Sequence, residues 1–124
     1  MSDIKVQIDK LGIMCVEYPL HATVGINEIK QEYKKRIKIT DKKTPLLVKI
    51  HGMSFFTDEA QEFLCSPKNV AITSAAAIVR DTNAGYFEHS NVLMNVFKMI
   101  KKPSFDVNVF DTDAAAYEWL KQYL

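Results

Sequence analysis

The opening of the chain alternates apolar with polar residues, a pattern that predicts a β-hairpin. Residues 4–8 place an apolar side chain at every second position, which is the spacing of a strand with one apolar face. A turn at residues 9–12 leads to a second apolar run over residues 13–18. Pro19 is expected to end this second strand.

The remainder of the chain alternates helical with extended patterns. Apolar residues three and four positions apart predict helices, whereas short apolar runs predict strands. The predicted helices begin between Thr23 and Asn27, at Thr57, near Asn83 and at Asp111 or Thr112. The predicted strands between them cover residues 46–50, 75–79 and 105–109. Trp119 shares the inward stripe of the last helix and is expected to be largely buried.

The order of these elements, ββαβαβαβα, predicts an α/β fold. Strands that alternate with helices call for a largely parallel sheet joined by right-handed crossovers, and the opening hairpin is the antiparallel exception. With 124 residues the chain has the length of one domain. We therefore expect a single domain over residues 1–124, with a mixed, mostly parallel five-stranded sheet and four helices.

The first predicted helix leads into a strongly basic stretch. Between residues 30 and 43 the chain has seven basic and two acidic residues, and Glu32 and Arg36 are spaced to pair on the helix surface. Because acidic residues interrupt the stretch and no stacking aromatics interleave, a solvated face is the expectation. Contact with phosphates or with an anionic membrane surface is the alternative. The apolar stripe of this helix is predicted to contain Ile26, Ile29, Tyr33 and Ile37.

Composition and charge exclude several classes of protein. Apolar residues make up 48% of the chain and charged residues 25%, the balance of a globular domain. The formal net charge of +1 argues against a bulk electrostatic grip on nucleic acid. No apolar run is long enough to span a membrane, and the first residues lack the plan of a signal peptide, so we expect a cytoplasmic protein. Cys15 and Cys65 are interpreted as small buried hydrophobes.

Candidate catalytic and metal-binding residues are few. His21, His51 and His89 lie on three separate segments without the spacing of a metal site. His51 follows a predicted strand at the edge where open α/β sheets bind ligands, which makes it the candidate for catalysis. The sequence has no phosphate-binding glycine motif and no nucleophile motif. We therefore expect no enzymatic activity, no metal and no cofactor.

Two segments of the chain resemble a known protein superfamily. Residues 109–120 (VFDTDAAAYEWL) are similar to the closing motif of small bacterial STAS-like proteins of unassigned function. Residues 54–60 (SFFTDEA) lie where the SpoIIAA-like anti-sigma-factor antagonists carry the loop SFMDSSG, at the start of their second helix. With the order of elements, these segments make the chain resemble the STAS superfamily, to which the antagonists belong.

The resemblance implies that the phosphorylation switch of the antagonists is missing here. In their loop, the second serine accepts phosphate from the partner kinase. Matched residue by residue, Thr57 replaces the aspartate, Asp58 the first serine, Glu59 the phosphoacceptor serine and Ala60 the glycine. A carboxylate cannot hold that phosphate as a stable ester. Glu59 either mimics a permanently phosphorylated serine or, with Asp58, forms an acidic first turn that the helix dipole favours.

We therefore predict a non-enzymatic STAS-like regulatory module that binds a protein through the loop at the start of the second helix. The resemblance implies a regulatory kinase-like or sigma-regulating partner, with no nucleic acid and no membrane span, and a homodimer is left open. One of the two adjacent phenylalanines in the loop should pack inward while the other points to solvent. The predicted contact residues are Met53, Ser54, Phe55, Phe56, Thr57, Asp58 and Glu59.

Two other functions are kept as alternatives. The STAS-like fold is similar to the CRAL-TRIO lipid-binding domains, which implies a small carrier of apolar ligands or lipids. An enzyme that uses His51 is the third class. A carrier should enclose an apolar cavity of roughly several hundred Å³, whereas a regulatory module should have a packed core and an exposed apolar loop.

Overall fold

A five-stranded β-sheet lies at the centre of the computed structural model, which describes residues 4–20, 23–51, 55–80 and 103–124. The strands of this sheet are β1 Lys5–Ile8, β2 Met14–Leu20, β4 Thr44–His51, β6 Thr73–Arg80 and β7 Asp106–Phe110. A separate two-stranded sheet consists of β3 Thr23–Val24 and β5 Phe55–Phe56. The helices are α1 Ile26–Ile39, α2 Asp58–Leu64, α3 Pro67–Val70 and α4 Asp113–Leu120, followed by a 3-10 turn Lys121–Tyr123.

The pairing of the strands confirms the predicted α/β class. Across the main sheet the order is β1-β2-β4-β6-β7; β1 and β2 pair antiparallel, and the other neighbours pair parallel. The short helix α3 is not predicted by the apolar pattern, and the helix expected from Asn83 to Lys101 lies outside the described residues. None of the helices in the described ranges is long and apolar enough to cross a membrane.

One element boundary differs from the sequence prediction. Pro19 lies inside β2 instead of ending it, close to a shift in the register of β2 against β4. A proline is tolerated at such an irregularity because no ladder hydrogen bond is required from its nitrogen. The first helix begins between Thr23 and Asn27 as predicted, with Gly25 as its N-cap, and Thr23 is paired in β3.

Apolar side chains cover both faces of the main sheet, so the sheet is the middle layer of the fold. Successive residues of β4 point to opposite faces, which places Leu46 and Val48 in the first layer and Leu47 in the second. The first layer, under α1 and α2, also contains Met14, Val16, Tyr18, Ile29, Ile50, Ala60 and Ile78. The second layer, under α4, also contains Ile13, Ala75, Ala77, Val79, Ala116 and Leu120.

Trp119 is half-buried, which corrects the expectation that it is largely buried. Its ring centroid lies 5.6 Å from that of Phe110 and 5.1 Å from that of Tyr123. Ala116 and Leu120 occupy the fully buried positions of α4. The tryptophan therefore covers the margin of the second layer, where part of the indole remains in contact with water.

A charged pair lies buried beneath α1, contrary to the predicted pattern. Glu32 and Arg36 are 2% and 1% exposed, whereas Ile37, assigned to the apolar stripe by its spacing, is 40% exposed. Arg36 Nη1 lies 3.3 Å from Glu32 Oε1, so the pair expected on the helix surface forms inside the protein. The Tyr18 hydroxyl donates a hydrogen bond to Glu32 Oε2 at 2.6 Å.

The Arg36 guanidinium also connects α1 to the segment that leads into β6. Nη1 donates to Asn69 Oδ1 at 3.1 Å, while Nη2 donates to the Ile72 carbonyl at 3.0 Å and to Thr73 Oγ1 at 2.8 Å. Asn69 in turn donates to the Leu64 carbonyl at 2.9 Å. A buried charge is tolerated only when it is paired and hydrogen-bonded. Here both terminal nitrogens of the guanidinium are bonded, whereas the buried Arg36 Nε has no hydrogen-bond partner among the described residues. The network holds α1 against α3 and the start of β6.

Replacement of Arg36 with alanine should be among the most destabilising single changes. It leaves the buried Glu32 carboxylate without its ion-pair partner, a loss that costs about 3–5 kcal/mol in other proteins. Urea denaturation should show the free energy of unfolding reduced by that amount. Lys38→Ala, on the exposed side of the same helix, is the control and should change it by less than about 0.5 kcal/mol. Equal unfolding midpoints for the two variants would contradict the role given to the network.

The buried hydroxyl of Tyr18 makes stability dependent on alkaline pH. Burial first, and then the neighbouring Glu32 carboxylate, raise the pKa of Tyr18 well above its usual value. The folded chain therefore holds this proton more tightly than the unfolded chain, whose tyrosines ionise near pH ~10. The resulting contribution to stability is complete below about pH 10 and is lost as the pH rises towards the folded-state pKa.

We expect the wild type to lose stability in urea denaturation between about pH 9 and pH 11, and Tyr18→Phe to lose less over the same range. At neutral pH the variant should be less stable by about 1.5–3 kcal/mol, because the Glu32 carboxylate loses a hydrogen-bond donor. Parallel pH profiles for the two proteins would show that Tyr18 does not ionise during alkaline unfolding.

Candidate functional site

The segment that follows β4 is hydrogen-bonded to the segment that follows β2, beyond the carboxyl ends of these two strands. β3 and β5 pair in parallel, with Thr23 opposite Phe55 and Val24 opposite Phe56. The Thr57 N–H extends this pairing by donating to the Val24 carbonyl at 2.9 Å. Because α1 follows β3 and α2 follows β5, the N-termini of the two helices lie side by side.

Phe56 attaches β5 to the core. Its side chain is 6% exposed, and its ring meets Tyr18 edge to face with the centroids 5.7 Å apart. The Gln61 side-chain amide donates to the Phe56 carbonyl at 3.1 Å across the turn into α2. The inward packing predicted for one phenylalanine of the pair is thus found at Phe56. Phe56 is one of the predicted contact residues; its ring is covered by the core, and partner contact at residues 53–59 stays a prediction.

Thr57 is the N-cap of α2, as the sequence predicts. Its hydroxyl accepts the Ala60 N–H at 3.3 Å. Asp58 and Glu59 occupy the first turn, and both are exposed. Carboxylates are favoured at this position by the unpaired N–H groups and the partial positive charge of the helix start.

Gly25 lies between the starts of α1 and α2. A Cβ at Gly25 would lie 3.9 Å from Thr57 Oγ1 and 3.1 Å from Glu28 Oε1, the second distance being tighter than an ordinary contact. The Glu28 carboxylate accepts the Gly25 N–H at 2.9 Å, which keeps it at the start of α1. Three carboxylates, those of Glu28, Asp58 and Glu59, therefore sit on two neighbouring helix starts. We call these three residues the acidic edge.

His51, the candidate for catalysis, ends β4 beside a carboxylate. Its Nε2 lies 2.7 Å from Glu17 Oε2, and both side chains are partly exposed. In residues 4–20, 23–51, 55–80 and 103–124, no three His, Cys, Asp or Glu side chains are grouped as metal ligands. Two of the predicted contact residues, Met53 and Ser54, lie outside the described ranges, as do His21 and His89.

A polar cluster on the second face of the sheet is not indicated by any sequence motif. Lys49 Nζ pairs with Asp113 Oδ2 at 2.7 Å, and the Cys15 thiol lies 3.4 Å from the Tyr117 hydroxyl, beside a groove of about 160 Å³. Burial raises the pKa of Cys15, while hydrogen bonds to Asp113 and Cys15 raise those of Lys49 and Tyr117. All three groups keep their protons at neutral pH, so the thiol is not activated as a nucleophile.

An apolar cavity of about 30 Å³ lies on the first face of the sheet, beside the buried Glu32. This space is comparable to that of one or two water molecules. Its lining includes Tyr18, Leu46, Phe56, Leu64, Ile78 and Phe105.

Comparisons with known proteins identify the family and support the fold. The profile of a family described as a domain of unknown function (DUF7793) matches residues 6–124, and the chain belongs to this family. The chain is also similar to the crystal structure of an uncharacterized protein of the DUF3478 family, with a SpoIIAA-like fold, from Shewanella loihica PV-4. This similarity covers 94% of the present chain and 91% of the other, with a TM-score of 0.53 and 12% identity, and it confirms the STAS-like fold. No curated protein matches the chain.

Thr57→Ala should destabilise the protein by about 1 kcal/mol, the usual cost of losing an N-cap hydroxyl. Thr57→Ser keeps the acceptor oxygen and should recover most of that loss in urea denaturation. Thr112, whose hydroxyl accepts the Ala115 N–H at 3.2 Å, caps α4 on the opposite face. Thr112→Ala is therefore a matched control that removes the same kind of cap away from the acidic edge. Wild-type stability in Thr57→Ala would contradict the capping role.

Proposed function

We propose that this chain is a STAS-like regulatory module that binds a protein partner at the acidic edge and performs no catalysis. The observation that carries the proposal is the exposure of the Asp58 and Glu59 carboxylates on a tightly fastened backbone. This position is also the loop through which the resemblance to the antagonists implies partner binding.

Rigidity of the acidic edge favours a binding role. A surface that is already held in its bound conformation loses little conformational entropy when a partner arrives. Here the Thr57 N–H is bonded to the Val24 carbonyl, and the Thr57 hydroxyl caps α2. The buried ring of Phe56 fixes the preceding residue to the core. The backbone that carries the Asp58 and Glu59 carboxylates is therefore held by these three contacts.

The charge of the acidic edge indicates the chemistry of the partner. Carboxylates at the margin of an interface select a positively charged surface and accelerate association with it. Arginine suits such a site because its guanidinium can bond both oxygens of one carboxylate. We therefore infer a protein partner that presents arginine or lysine side chains, of the regulatory kinase-like or sigma-regulating class that the resemblance implies.

Binding should not require phosphorylation of the loop. Under the resemblance, Glu59 takes the place of the phosphoacceptor serine of the antagonists. Its carboxylate supplies a negative charge there without phosphorylation. The Thr57 hydroxyl oxygen accepts the Ala60 N–H and caps α2 in the unmodified protein. These features support a binder that is fixed in one state rather than switched by a kinase.

Cavity size favours this function over the carrier of apolar ligands. The cavity of the first face has a volume of about 30 Å³, whereas pockets for small molecules usually measure about 300–1,000 Å³. Among the residues that the structure describes, a fatty chain could enter this cavity only if the first layer opened. A packed core with a charged, exposed contact surface is the arrangement expected of a binding module.

Glu59→Lys should abolish most of the partner binding. Immobilised wild-type chain is used to capture the partner from a lysate of its native cells, and the captured protein is purified and titrated against each variant. Reversal of one contact charge should raise the dissociation constant by at least about 10-fold, with the main effect on the association rate. Glu59 is exposed but lies in the first turn of α2, so Glu59→Lys should lower the free energy of unfolding by only about 1 kcal/mol, which leaves the variant folded in the binding assay.

Glu118→Lys is the matched control for this experiment. Glu118 is an exposed glutamate on α4, where its carboxylate lies 2.7 Å from Lys121 Nζ, away from the acidic edge. Its reversal makes the same change in net charge and should alter the dissociation constant by less than about 3-fold. Equal affinities for the two variants, or no protein captured above the level of bare resin, would refute binding at the acidic edge.

A further inference from the structure

Glu32 and Arg36 are buried as a pair, so the exposed part of the basic stretch between residues 30 and 43 keeps its positive charge. In the sequence Glu32 interrupts this stretch, but in the structure its carboxylate lies inside the protein beside Arg36. Glu28 is bonded to the Gly25 N–H at the start of the helix. Asp41, beyond the end of α1, is the acidic residue of the stretch that stays exposed. The exposed side of α1 therefore carries its lysines without a carboxylate between them.

Helical geometry gathers the remaining lysines on the outer side of α1. Successive residues are about 100° apart around the helix axis, so Lys34 points about 200° away from both Glu32 and Arg36. Lys30 and Lys38 lie one turn before and after Lys34, and all three are exposed. The turn that follows α1 adds two exposed lysines, Lys42 and Lys43. We call this surface the lysine face, and it consists of Lys30, Lys34, Lys38, Lys42 and Lys43.

The lysine face concentrates positive charge that the rest of the chain offsets. Residues 30–43 contain seven of the 16 basic residues and two of the 15 acidic ones. Lys30, Lys34 and Lys38 make no ion pair or hydrogen bond with the described residues. The protein is consequently polarised, although its formal net charge is only +1. Such a distribution orients a protein on a negatively charged surface.

We propose that the lysine face docks the protein on membranes rich in anionic phospholipids. Clusters of roughly four to eight basic residues on a helix are attracted to such membranes, and each lysine close to the surface strengthens binding about 5-fold. The exposed side chain of Ile37, at 40% exposure, lies beside the lysines, about 60° from Lys34 around the helix axis. Apolar side chains beside basic ones favour the interface between lipid headgroups and acyl chains.

Other anionic partners fit this surface less well. Arg36 is buried, so the lysine face lacks the guanidinium that binds phosphates of nucleic acids in a bidentate manner. The ring of Tyr33 packs against that of Phe63 with centroids 5.5 Å apart, and is therefore engaged rather than free to stack on bases. Lysine is also depleted in protein–protein interfaces, whereas arginine and aromatic residues are enriched there.

The proposal is tested by sedimentation of the purified full chain with two kinds of vesicle. One kind contains equal parts of phosphatidylglycerol and phosphatidylcholine, and the other contains phosphatidylcholine alone. We expect the wild type to sediment with the anionic vesicles only, and its affinity to fall as salt is added, because exposed charges are screened. The triple variant Lys30→Gln/Lys34→Gln/Lys38→Gln should bind the anionic vesicles about 100-fold more weakly.

A second triple variant controls for the change in net charge. Lys5→Gln/Lys10→Gln/Lys121→Gln removes the same number of positive charges from exposed positions outside the lysine face. Its affinity for the anionic vesicles should stay within about 3-fold of the wild type. Thermal unfolding followed by circular dichroism should give both triple variants the wild-type midpoint, since all six side chains are outside the core.

Three outcomes would overturn the proposal. The first is failure of the wild type to bind anionic vesicles at low salt. The second is equal binding by the wild type and the lysine-face variant. The third is binding to duplex DNA in the same buffer without binding to the vesicles, which would assign the lysine face to nucleic acid instead.

Discussion

The ion pair between Arg36 and Glu32 is the constraint on which the arrangement of α1 depends. A guanidinium buried beneath a helix needs acceptors in several directions, and here they come from α1 itself, from Asn69 and from the start of β6 at Thr73. Such a set of bonds fixes the rotation of the helix about its axis as well as its distance from the sheet. Apolar packing alone would leave that rotation less sharply defined, because Ile29 is the one fully buried apolar side chain of α1.

Much of the fold follows from signals that are local in the sequence. The period of two in β1, the apolar runs of β4 and β6, and the capping threonines Thr57 and Thr112 depend on neighbouring residues, and each is found where it was predicted. The burial of Glu32 and Arg36 could not be predicted in this way. The spacing of such a pair is the same on a helix surface as in a core, and the groups that decide between the two, Asn69 and Thr73, lie more than thirty residues away.

The candidate site likewise combines features that the local sequence predicts with features that depend on distant residues. The cap at Thr57 and the acidic turn after it were predictable from the sequence, and the resemblance to the antagonists located the loop. The pairing of β3 with β5 was not predictable, because two-residue strands are too short to show a period. Neither could the sequence decide which phenylalanine packs inward, and this depends on the position of Tyr18 in β2. Long-range pairing, rather than local propensity, thus shapes the support of the acidic edge.

The lysine face and one residue of the acidic edge, Glu28, belong to α1 and take their orientation from the buried pair. The start of the helix brings Glu28 beside the cap of α2, and its outer side presents Lys34 and the neighbouring lysines. A rotation of the helix by one residue, about 100°, would bring a lysine towards the core and carry Arg36 away from its acceptors. The cost of burying an unpaired charge opposes that rotation. The network that stabilises the fold therefore also fixes the directions in which α1 presents Glu28 and the lysine face. This fixed geometry would let the proposed protein partner and the proposed membrane surface bind at the same time.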